Sequence, residues 1–62
     1  MTKKELKAAR ARVERAYYKR CSGITINVTD ISRIFEAGVQ IVAVGVDDAL
    51  LEDAMAVIVE QL

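Results

Sequence analysis

The sequence predicts an all-α fold: a single helical domain over residues 1–62, built as a compact three-helix protomer and assembled as a helical homo-oligomer. Three observations predict it. Apolar residues recur at helical spacing in three separate stretches. Each stretch opens beside a residue suited to an N-cap, and two of them end against a glycine. No proline interrupts any of them.

The first helix is expected over residues 2–21, within "TKKELKAARARVERAYYKRCSG". Thr2 followed three residues later by Glu5 is a capping-box signature. Ala, Leu, Arg, Lys and Glu, all good helix formers, dominate the stretch. Gly23 is placed to end the helix with a positive φ. At 100° per residue, Leu6, Ala9, Val13, Ala16 and Tyr17 share one narrow face. Lys4, Lys7, Arg15 and Lys19 fall on the opposite face, with Tyr18 among them.

Residues 24–28, "ITINV", alternate apolar and polar side chains. They are expected to form an extended connector, with Ile24, Ile26 and Val28 against the core. A strand pairing across a dimer is the alternative for this stretch. The run after it, rich in Ile and Val, also invites a strand assignment, but Ile41 to Val44 is unbroken and does not alternate. Wrapped as a helix over 29–44, it places Ile31, Ile34, Phe35, Gly38, Val39, Ile41 and Val42 on one arc of about 160°. Asp30, Ser32, Arg33, Glu36 and Gln40 occupy the other side. Asn27 or Thr29 caps its start and Gly45 its end. Gly38 serves either close helix approach or a bend, or is simply tolerated near a helix end.

The third helix is expected over 47–62, with Asp47 as N-cap and Asp48 at the positive end of the helix dipole. Its apolar arc spans about 200° of the wheel. That is more than one neighbour in a three-helix unit can cover, which predicts a second subunit. Composition agrees. A chain of 62 residues that is 53% hydrophobic, with a single cysteine and no histidine, has neither a disulfide nor a zinc site to stabilise a small core. The expected self-association surface comprises Phe35, Val39 and Val42 of the second helix. From the third helix it takes Leu50, Leu51, Ala54, Met55, Ile58 and Leu62.

Net charge is zero, yet it is unevenly laid out. Residues 1–21 hold eight basic residues against two acids, and residues 22–62 hold one basic residue against seven acids, giving +6 and −6. The candidate partner-binding face is therefore the basic side of the first helix: Lys4, Lys7, Arg12, Arg15, Tyr18 and Lys19. The leading reading is a non-enzymatic binding protein that self-associates and displays this face to another protein, such as a host regulator. The alternative is a small regulator that meets nucleic-acid phosphates with the same cations. A plainer account makes the face a solvated surface, or a complement to the acidic half of the same or a partner chain.

Nothing in the pattern points to catalysis or a cofactor. Cys21 has no histidine to activate it and reads as a structural or incidental thiol, although Lys19 and Arg20 favour its ionised form. Asp47, Asp48, Glu52 and Asp53 lack calcium-loop spacing and read as a cap with solubilising charge. No apolar run approaches the roughly 20 residues of a bilayer span, so no membrane partner is expected. With a lone free thiol, the cytoplasm is the expected location.

The opening "MTKKELKAARARVERAYYKRCSG", followed by a short apolar and acidic helical tail, resembles the small accessory proteins of temperate phages. It looks most like the short reading frames of the early region of lambda-like phages, between recombination and excision genes. The resemblance implies a host-cytoplasmic protein that alters host physiology or phage development by binding. It covers the whole chain, and no shared motif carries a functional residue across.

Overall fold

The computed structural model describes residues 1–62 and contains three α-helices and no strand. Helix α1 runs Lys3–Cys21, α2 runs Val28–Val44 and α3 runs Asp48–Glu60. The connector is correspondingly shorter than expected, because Val28 already belongs to α2. The third helix also stops earlier than the periodicity predicts, leaving Gln61 as its C-cap and Leu62 beyond it.

All three helices start in the same way. The N–H of the third helical residue donates to the side chain of the N-cap: Glu5 to Thr2 Oγ1 at 3.1 Å, Asp30 to Asn27 Oδ1 at 2.9 Å, and Leu50 to Asp47 Oδ1 at 2.8 Å. Each bond satisfies one donor that the helix itself leaves unpaired. The Glu5 carboxylate accepts from the Thr2 hydroxyl, so Thr2 and Glu5 are tied twice. Gly23 and Gly45 both follow helix ends with positive φ, +91° and +98°. At Gly45 the backbone N–H turns back to the Val42 carbonyl at 3.0 Å.

The helices pack pairwise around one small core. Val13 of α1, Ile34 of α2, and Leu51 and Met55 of α3 are fully buried, each contributing about 1.5–3 kcal/mol of hydrophobic stabilisation. Ala16, Tyr17 and Cys21 extend this cluster along α1. Gly38 sits at the point where the three helices meet. A β-carbon there would lie 2.6 Å from Val13 Cγ1, 2.9 Å from Val13 Cγ2 and 3.0 Å from Met55 Sδ. Of the readings open to this glycine, the structure selects close helix approach.

Tyr17 joins the core, edge-on to Phe35 at a centroid separation of 5.6 Å. Its neighbour Tyr18 is more than half exposed. The connector contributes less than expected: Ile26 packs on the core, whereas Ile24 and Val28 point to solvent. Two adjacent helix caps fix this short segment, which leaves only one of its apolar side chains able to turn inward.

Candidate functional site

The surface offers three features: a cationic ridge on α1, a groove between α1 and α2, and an uncharged face on α2 and α3. The ridge comes first because opposite charges divide it. Lys4, Lys7, Arg15 and Tyr18 are exposed on its outer side. With Ala11 they span about 80° of the helix, and no acid interrupts them. Arg12 and Lys19, expected on the same partner-binding face, are turned instead toward α3.

Arg12 Nε donates to Asp48 Oδ1 at 2.9 Å, and Arg12 Nη2 donates to the Val46 carbonyl at 2.8 Å. Lys19 Nζ lies 3.4 Å from Glu52 Oε2. Arg20, outside the expected set, completes the series with Asp53 at 3.0 Å. All three ion pairs join α1 to α3. Part of the basic segment is thus complemented by the acidic segment of its own chain. The +6 and −6 halves contained that signal, but which cations would be consumed depended on helix orientation.

The expected self-association surface is also redrawn. Leu51 and Met55 have no exposed area and belong to the protomer's own core. Phe35 leans on Tyr17, while Val39 and Val42 line depressions shared with α1. Ala54 and Ile58 are half-buried, and Leu50 and Leu62 remain exposed. The wheel had located the apolar arcs without showing which part of each arc a neighbouring helix would take.

Less covered apolar residues lie along one flank of α2 and of α3, where Val44, Leu50 and Val57 are exposed and Ala37, Ile41 and Ala54 half-buried. On α2, Ala37, Ile41 and Val44 fall within about 60° of one another; on α3, Leu50, Ala54 and Val57 do the same. The helices run antiparallel across a short turn. The approach of Gly38 to Met55 sets their register. None of the six is polar, and Val44, Leu50 and Val57 are each more than half exposed. Val44 and Val57 were missing from the expected set. Both are exposed, which periodicity does not report.

The groove between α1 and α2 has an open volume of about 700 Å³. Leu6, Ile31, Phe35 and Val39 make its floor. Arg10 stands on the α1 bank, and Ser32, Glu36 and Gln40 on the α2 bank. Along the outer side of the α1 bank a shallower depression adds Lys3, Lys7 and Glu14.

Cys21 is buried at the end of α1. Desolvation pushes its thiol above the ordinary value, against a smaller opposing pull from the Arg20 guanidinium. This is the reverse of an activated nucleophile. No three acidic or thiol side chains converge as metal ligands. No helix is long and apolar enough to cross a membrane.

No family model, curated protein or solved structure matches this chain. The site's own geometry therefore carries the functional argument.

Proposed function

We propose that the protein is a non-enzymatic helical binding protein that self-associates through the outer flank of α2 and α3 and presents the cationic side of α1 to a protein partner. One observation carries the reading. More than half of the residues are hydrophobic, yet only eight apolar residues are buried in the protomer. The remainder includes six apolar residues on one flank of α2 and α3, of which Val44, Leu50 and Val57 are more than half exposed. A second copy suits that face because it brings an equally uncharged surface in a two-fold arrangement, with Ala37 and Ala54 giving room to the larger side chains. Pairing removes from water the area that so small a chain cannot cover alone.

Lys4, Lys7, Arg15 and Tyr18 lie on α1, away from this flank, and stay free in such an assembly. The resemblance of the sequence to early-region phage proteins supports a host protein as the partner and the host cytoplasm as the location. An exposed tyrosine among unpaired cations also keeps the nucleic-acid reading in view as the alternative.

Sedimentation equilibrium at about 100 μM tests the self-association. A multiple of the chain mass is expected, and a single-chain mass for the unsubstituted protein would overturn it. Binding to mixed-sequence DNA and RNA across a salt series decides the alternative. A logarithmic slope near one per phosphate contact, removed by Lys4→Glu, Lys7→Glu and Arg15→Glu together, would replace the protein partner with nucleic acid.

A further inference from the structure

We infer that the groove between α1 and α2 receives an amphipathic helix whose apolar stripe fills the floor and whose acidic flank lies along α1. The proposal rests on the binding role proposed above and adds a contact surface beside the ridge, with Lys7 common to both. It depends on that role and not on self-association, which uses another face.

Shape comes first. α1 and α2 form the two banks of an open surface groove. The floor of Leu6, Ile31, Phe35 and Val39 draws on both banks. Its residues on α2 recur at spacings of four, the pattern of a surface that accepts apolar anchors from a helix. An open volume of about 700 Å³ is within the usual range for a binding pocket.

Charge selects the occupant. Arg10 lines the groove itself, Lys3 and Lys7 stand beyond it in an adjoining depression with one acid, Glu14, and none of the three cations is in an ion pair. The α2 bank carries one acid, Glu36, between the uncharged Ser32 and Gln40. An incoming helix is therefore favoured with carboxylates toward α1 and neutral or basic residues toward α2. The protein already uses this mode of recognition internally. On its other flank α1 holds the acidic helix α3 through Arg12–Asp48, Lys19–Glu52 and Arg20–Asp53. The cations of the groove flank repeat that arrangement with no acidic helix opposite them.

Two synthetic amphipathic helices of about 18 residues test the proposal. They share one leucine and isoleucine stripe and differ only in whether glutamate or lysine occupies the flank meant for α1. Fluorescence anisotropy against the full chain should show the glutamate helix binding at least tenfold more tightly at 150 mM salt. Lys3→Glu and Lys7→Glu together alter exposed, unpaired side chains and so should leave the helical spectrum unchanged. They should abolish or reverse the preference. Ile31→Ser should weaken both helices, with circular dichroism confirming that the chain stays folded. Equal binding of the two helices, no binding up to 1 mM, or a preference that survives the lysine reversal would overturn the proposal. So would duplex DNA displacing the bound helix at the same salt. Sedimentation of the same samples reports self-association separately, so failure of one claim is distinguishable from failure of the other.

Discussion

Of the three glycines, Gly38 alone sits where a β-carbon would meet other side chains. In an exposed helix, replacing glycine with alanine gains about 1 kcal/mol of helix propensity. Here the new methyl would meet both γ-carbons of Val13 and the sulfur of Met55 within 3.0 Å. Overpacking of this kind costs about 1–3 kcal/mol. Gly38→Ala should therefore lower stability in urea unfolding. Adding Val13→Ala should recover part of the loss, because the two sites share one space. A more stable Gly38→Ala protein would show that the helices separate easily at this point.

Cys21 gives a second prediction at this scale, with a sign fixed by linkage. Burial raises its folded-state value, so the unfolded chain releases the thiol proton at lower pH than the folded one. Its contribution is fully present below the ordinary thiol range near pH 8.5 and is lost as pH rises through the folded value. The urea midpoint of the unsubstituted protein should fall more between pH 7.5 and pH 10 than that of Cys21→Ala. Equal slopes in the two proteins would show that the thiol titrates as it does in the unfolded chain.

Between elements, the three α1–α3 ion pairs are not equivalent. Arg12 is partly shielded and makes two hydrogen bonds, one of them to the Val46 backbone in the turn between α2 and α3. It ties the first helix to the turn that sets the direction of the third. Lys19 is largely exposed and reaches Glu52, whose side chain is only 17% exposed, at 3.4 Å. Exposed pairs are worth about 0–1 kcal/mol, whereas leaving a shielded carbonyl without its partner costs about 1–3 kcal/mol. Arg12→Ala should thus destabilise by more than about 1 kcal/mol and Lys19→Ala by less than about 1 kcal/mol. Thermal unfolding in low and high salt checks the comparison, since only the Lys19 effect should vanish in salt. Similar losses from both substitutions would reduce Arg12 to an ordinary surface charge.

For the whole molecule, Val57 and Ile58 are adjacent residues with different work. Val57 is 52% exposed on the outer flank, whereas Ile58 packs against the core. Val57→Asp should yield a folded single chain by light scattering and circular dichroism. Ile58→Asp should unfold the protomer, because it buries an unpaired charge. Unchanged mass for Val57→Asp would mean that the self-associating surface lies elsewhere.

Much of this architecture was legible one residue at a time. Thr2 and Asp47 signal their helix starts because capping is a local bond between residues three apart, and Gly23 and Gly45 mark ends for an equally local reason; at the second helix the sequence offers Asn27 or Thr29, and the structure uses Asn27. The helical reading of residues 29–44 follows from periodicity even though the Ile and Val content favours a strand. Tertiary structure decided what each helical face meets. Leu51 and Val57 look alike on a wheel, yet one is fully buried and the other faces outward. Arg12 and Arg15 are both basic residues of α1, yet α3 takes the first and leaves the second free. Local bonds and periodicity depend on neighbours in sequence, which the sequence contains. Burial and charge pairing depend on the rotation and register of helices distant in the chain, and the close approach at Gly38 settles these only once the three helices have packed.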